Sequence, residues 1–233
     1  MTARYAIYYA PQAASALWTK ASAWLGRDAS SERIMARPEL PELASLDLQR
    51  LTADPRHYGF HATLKAPFEL AVGGDERELL DAAQAFAAGM TPFDAAIAPA
   101  ALGRFLAFQL QDGEAQMQAL HAACVRAFEP FRAPLTDADV ARRRRAPLTA
   151  KQDARLLDWG YPYVFEDFRF HMTLTSSIAD GAVRARVLQA LKRHFEPETG
   201  THRFDAIAIF RQAGRDAPFD IVERVAFAAP VAA

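Results

Sequence analysis

The 233 residues contain one cysteine, Cys124, which excludes an internal disulfide and a cysteine-rich zinc site. It sits in the apolar run Leu120-His121-Ala122-Ala123-Cys124-Val125 and is expected to pack as a small buried hydrophobe. Excess charge of either sign is missing too. The 27 Lys and Arg against 28 Asp and Glu leave a net charge of −1, so no global basic field draws nucleic acid, although a local phosphate site stays open. No apolar stretch approaches the length that spans a bilayer, and residues 1–9 lack the basic segment and apolar run of a leader. A soluble cytoplasmic protein with no membrane partner is the expectation. What remains is ordinary globular composition, 51% hydrophobic and 24% charged, enough for a core of useful size.

Apolar spacing predicts the elements. Residues 4–10 read as a strand. A helix opens at Pro11, carries Leu17, Ala21, Trp24 and Leu25 on one stripe, and ends at Gly26. Residues 29–41 read as loop, with a short helix at 42–52 that stops before Pro55. A strand at 60–66, a helix at 75–89, strands near 92–98 and 104–111, and a helix at 114–128 follow. The segment 129–165 is rich in proline and holds the run Arg142-Arg143-Arg144-Arg145. Thr149 and Gln152 have capping-box spacing, so a helix is expected over 150–158. The rest reads as a strand at 166–176, a helix at 180–195, and strands near 203–211 and 218–227. The mixed order implies an α+β protein. Each half shows a strand carrying a histidine, then a helix, then two strands, which suggests an internal duplication.

One motif occurs twice: Tyr58-Gly59-Phe60-His61-Ala62-Thr63-Leu64-Lys65 and Phe168-Arg169-Phe170-His171-Met172-Thr173-Leu174-Thr175. Side chains alternate along a strand. Phe60, Ala62 and Leu64, like Phe170, Met172 and Leu174, therefore face a core. The opposite face of each strand carries His61, Thr63 and Lys65, or Arg169, His171, Thr173 and Thr175. If the halves pack about a pseudo-twofold axis, these polar faces meet across a cleft.

Such a cleft suits phosphodiester chemistry. A neutral histidine takes a proton from the attacking oxygen while a protonated one gives a proton to the leaving oxygen. Thr63 and Thr173 can donate to the non-bridging oxygens, and Lys65 and Arg169 can balance the developing charge. Neither a metal nor another cofactor is expected.

The paired His-x-Thr-Leu resembles the two-histidine (2H) phosphoesterase superfamily, which includes the 2′-5′ RNA ligase-like proteins and cyclic phosphodiesterases. The resemblance implies a bilobal α+β fold, a single domain over 1–233 whose two pseudo-twofold-related lobes have antiparallel-rich sheets flanked by helices. They form one site between them, with 129–165 as an insertion or lid. It carries functional roles to His61, Thr63, His171 and Thr173. Within the superfamily the chain is similar to the bacterial subfamily encoded beside carbon–phosphorus lyase genes. That similarity rests on Tyr5 to Pro11, Trp24 to Arg27, Tyr58 to Phe68, Trp159 to Tyr163 and Phe168 to Ser177. It implies a small phosphate ester as partner, such as a ribosyl cyclic phosphate in phosphonate breakdown.

Other readings stand beside this one. The cleft could hold a phosphorylated metabolite or RNA end without cleaving it, or the arginine run could serve an RNA-processing enzyme, although a four-residue charge run is more often a solvated helix face. Tyr161 and Tyr163, with Trp159, could stack on a base or sugar, although packing is the commoner role. His57 and His61 would resemble a metal pair on a helix, but Gly59 argues for strand entry between them. His121, His194 and His202 are expected at the surface.

Overall fold

Arg4-Tyr5-Ala6-Ile7-Tyr8-Tyr9 forms β1 (Arg4–Tyr9), flanked by strands on both sides and buried from Tyr5 onwards. The computed structural model describes residues 3–228. Helix α1 (Ala16–Leu25) starts later than Pro11 because Ser15 caps it, its side chain accepting from the Trp18 N–H. Gly26, at φ 81°, ends it. Leu17, Ala21, Trp24 and Leu25 are all buried, as their spacing predicts. The segment expected as loop carries a small hairpin, β2 (Arg27–Asp28) and β3 (Arg33–Ile34). Pro55 does not stop a helix. It lies in the first turn of α3 (Ala53–Tyr58), after the single turn α2 (Leu48–Leu51), where a missing N–H breaks no helical bond.

Then follow β4 (Ala62–Glu69), α4 (Glu76–Ala88), β5 (Phe93–Leu102), β6 (Phe105–Leu110) and α5 (Glu114–Ala127). The proline-rich segment holds α6 (Asp137–Arg143) as well as the expected helix, α7 (Ala150–Trp159), whose Thr149–Gln152 capping box is present. The chain closes with β7 (Met172–Thr173), α8 (Gly181–His194), β8 (Gly200–Phe204), β9 (Ala206–Gln212) and β10 (Phe219–Ala226). Only Met172 and Thr173 of the strand expected at 166–176 join the sheet. A 3₁₀ turn at Phe165–Asp167 replaces its start. Phe165 is held at φ 56°, with its N–H on His121 Nε2 at 3.1 Å and its carbonyl accepting from the Gln118 amide.

The large sheet runs β10-β9-β1-β4-β7-β6-β5-β8, every pair antiparallel. It is an α+β fold whose two four-strand halves meet at β4 and β7, the motif strands. The halves are not sequential in the chain. Strands β5 and β6 leave the first motif and pair in the half of the second, while β9 and β10 return beside β1. Each helix stays with the motif it follows: α4 packs on β9 and β10, in the half of β4, and α8 on β5 and β6, in the half of β7. The exchange of strands makes each motif strand the inner edge of its half, so both histidines come to the middle of the sheet.

Candidate active site

The join is one residue pair wide: Ala62 lies opposite Met172. In an antiparallel pair, one step along one strand matches one step back on the other. His61 therefore stands across from Thr173, and Thr63 across from His171. The surrounding surface agrees with this register. His61 and Thr173 line one hollow with Tyr58 and Phe105. Thr63 and His171 line the adjoining cleft, about 480 Å³, again with Phe105. The alternate residues Phe60, Ala62, Leu64, Phe170, Met172 and Leu174 are all buried, as strand geometry predicts. The second strand is tied from behind, where the Trp24 indole N–H donates to the Leu174 carbonyl at 2.7 Å.

Each imidazole is oriented by the carbonyl two residues before it. His61 Nδ1 lies 2.9 Å from the Gly59 oxygen, and His171 Nδ1 lies 2.7 Å from the Arg169 oxygen. A carbonyl only accepts, so both Nδ1 atoms carry hydrogen and both Nε2 atoms are left for the cleft. Thr63 Oγ1 lies 3.3 Å from His61 Nε2. Gly59 is needed for this arrangement. It sits at φ 75°, and a Cβ there would come within 2.5 Å of Ala29 Cβ.

The two histidines differ in their surroundings. Tyr8, buried, stacks on His61 with ring centroids 3.8 Å apart, whereas Phe105 stands 5.7 Å from His171. Burial pushes His61 down to about 4, and the charge of a protonated His171 acts in the same direction. Burial also lowers His171. Desolvation penalises the imidazolium, so the resting pair is neutral near pH 7.

Arg169, Tyr161 and Tyr163 line the cleft with Thr63 and His171, so the structure brings these expected residues together. Thr175 lines the hollow of His61 and Thr173, and Lys65 lines neither that hollow nor the cleft. Lys65 is buried, with Nζ 2.6 Å from a Glu129 oxygen and 3.2 Å from the Val125 carbonyl. The register of β1 on β4 shifts between Ile7↔Lys65 and Tyr8↔Thr63, and this irregularity breaks the simple alternation. Thr175 is also buried, its hydroxyl accepting from the Leu106 N–H at 3.0 Å. Lys65 thus lies off both hollows, whereas Thr175 lines the hollow of His61 and Thr173 with its hydroxyl already engaged.

His121 and His202 depart from the surface positions expected of them. His121 is buried, stacked on Phe168 at 3.9 Å. His202 lies in β8 with its ring on the Tyr9 hydroxyl at 2.6 Å. His57 sits on α3, 3.0 Å from the Gln212 amide nitrogen, so it and His61 share no helix. Among the described residues no three His, Cys, Asp or Glu side chains are grouped to hold a metal, and no helix is long and apolar enough to cross a membrane. Cys124 is buried as expected. Half of the arginine run is paired: Arg142 binds Asp139 and Arg144 binds Asp153, each at 2.7 Å. Tyr8 and Phe105 escaped sequence reasoning because each looks like any aromatic residue in an apolar strand. Tyr58 carried a signal, being the aromatic that precedes each histidine by three.

The chain belongs to the DUF1045 family, described as a protein of unknown function, which it matches over residues 63–220. It is 40% identical over 231 residues to a protein of Janthinobacterium sp. (strain Marseille) named ribose 1,5-bisphosphate phosphokinase PhnN, covering 96% of this chain and 51% of that one. A protein of the same name from Laribacter hongkongensis (strain HLHK9) is 37% identical over 193 residues, covering 83% and 44%. The chain thus spans about half the length of these curated relatives. The crystal structure of TT0787 of Thermus thermophilus is similar at a TM-score of 0.44 and 14% identity, covering 97% of this chain and 98% of that one.

Proposed function

We propose that this chain is a two-histidine phosphoesterase that opens a cyclic or linear phosphodiester without a metal, in one domain spanning both halves. The carrying observation is the crossed register, His61 opposite Thr173 and Thr63 opposite His171, with both Nδ1 atoms held by carbonyls and both Nε2 atoms left to the cleft. His61, kept neutral beneath Tyr8, is the base: its Nε2 takes a proton from water as the water oxygen bonds to phosphorus. His171, protonated with the anionic substrate beside it, gives its Nε2 proton to the leaving oxygen as that P–O bond breaks. Water is consumed, and a phosphate monoester and a hydroxyl result. Thr63 and Thr173 donate to the non-bridging oxygens. Arg169, without a carboxylate partner among the described residues, faces the charge that builds up there. Tyr161 and Tyr163 offer ring faces to a sugar or base.

The relatives' names mention a phosphorylated ribose, which supports a ribosyl phosphodiester as substrate, with phosphonate breakdown as its setting. The same names favour a second reading, phosphoryl transfer from a nucleotide to ribose 1,5-bisphosphate. They belong to chains about twice as long, and this sequence has no Gly-x-x-x-x-Gly-Lys-Ser/Thr loop. The test is product release from 2′,3′-cyclic nucleotides and ribosyl 1,2-cyclic phosphate, with EDTA present, by wild type, His61→Ala and His171→Ala. Turnover by wild type and a loss of two to four decades in each variant is expected. No turnover of any diester, with ATP-dependent phosphorylation of ribose 1,5-bisphosphate instead, would put the kinase reading in its place.

A further inference from the structure

Two arginines outside the histidine hollows hold no carboxylate among the described residues. Arg143, at the end of α6, lies over the Tyr161 ring at 4.8 Å, and Tyr161 shares a cleft with Thr63 and His171. Arg4, at the start of β1, donates to Gln212 Oε1 at 2.8 Å and lies 5.6 Å from the Phe219 ring centre. Both guanidinium groups line one narrow recess, together with Arg132, Arg142 and Arg215. Its lining carboxylates, Glu69 and Asp139, are already held by Arg215 and Arg142. Arg132 is held by Glu129. The recess therefore concentrates positive charge in a protein whose net charge is −1.

Cations placed side by side and partly desolvated are unfavourable unless an anion joins them. Arg4 shows the cost: burial and then the neighbouring Arg215 push it below its ordinary value. Guanidinium groups bind phosphate through paired N–H donors, which suits an enclosed double-arginine site. Two of its residues lead toward the histidines: Arg143 lies over Tyr161, which lines the cleft with His171, and Tyr8, four residues beyond Arg4 on β1, stacks on His61. Four residues of strand span about 13 Å, so a ligand that reaches both places is larger than a bare phosphodiester.

We propose that Arg4 and Arg143 form a second anion subsite, which takes a terminal phosphate monoester carried by the substrate whose diester lies between the histidines. The inference rests on the phosphoesterase reading and narrows its substrate to a sugar bearing two phosphate groups. Specificity then comes from the insertion 129–165, whose helix α6 supplies Arg143.

The test has a kinetic arm and a binding arm. Adenosine 2′,3′-cyclic phosphate is compared with the same compound bearing a 5′-phosphate. Wild type should prefer the 5′-phosphorylated compound at least tenfold in kcat/KM, and Arg4→Gln and Arg143→Gln should each cut that preference at least fivefold. Arg4→Lys, which keeps the charge, should retain more of it and guards against a folding defect in Arg4→Gln. Equal losses on both compounds, or none, would overturn the subsite while leaving the phosphoesterase reading intact. The binding arm holds even without turnover. By calorimetry, Arg143→Gln should weaken ribose 5-phosphate at least tenfold, and more than His171→Ala does. No binding by wild type, or an equal loss in His171→Ala, would contradict the subsite.

Discussion

Tyr8 lies flat on His61, with ring planes 20° from parallel and centroids 3.8 Å apart. The stack shields one face of the imidazole from water, and burial is the main cause of its low value of about 4. Tyr8→Ala should raise His61 toward the ordinary value of about 6.5, read from the pH titration of its ring protons by NMR. Tyr8→Phe should keep it low. A value unmoved in Tyr8→Ala would mean that other groups exclude the water.

All six histidines are lowered below their ordinary value, with burial the leading cause in each. Each binds a proton more readily in the unfolded chain than in the folded one, so acid favours unfolding. Stability should begin to fall as pH drops through about 6.5, and for His61 and His121 the fall should continue to about 4. Thermal melts between pH 7.5 and 4.5 check this. A Tm that holds steady or rises on acidification to pH 5 would contradict it.

Lys65 and Thr175 should matter for folding and not for chemistry. Lys65→Met leaves Glu129 with Arg132 alone, and Thr175→Val leaves the buried Leu106 N–H without its acceptor. Each should cost about 1–3 kcal/mol in denaturant unfolding, with kcat of the folded enzyme within about twofold of wild type. A hundredfold loss of kcat with stability unchanged would give either residue a part in the chemistry.

The histidine and threonine faces of the motif strands were legible because a period of two needs only local geometry. The extent of the second strand was not. The Phe165 turn depends on His121 and Gln118, more than forty residues away in sequence. Lys65 followed the same period but is turned inward by a register shift against β1, which arises between strands and leaves no mark on either alone. Tyr8 was hidden for a similar reason: its neighbour on β4 is Thr63, set by long-range pairing. The motif's symmetry also concealed which histidine is which. The two copies read alike, and only their neighbours, Tyr8 against one and Phe105 beside the other, tell them apart.

The pH dependence of kcat/KM for wild type, His61→Gln and His171→Gln tests the paired roles most directly, given turnover of a diester and rate-limiting chemistry. Wild type should give a bell whose limbs belong to the coupled pair. Because burial lowers both histidines in the free enzyme, its maximum should lie on the acid side of about 6.5. His61→Gln should lose the acidic limb, since no base remains to be protonated. His171→Gln should lose the basic limb, since no acid remains to lose its proton. Opposite half-bells on a low residual rate are the predicted result. Exchanged limbs would reverse the roles of the two histidines, and a flat wild-type profile from pH 4 to 9 would contradict paired histidine catalysis altogether.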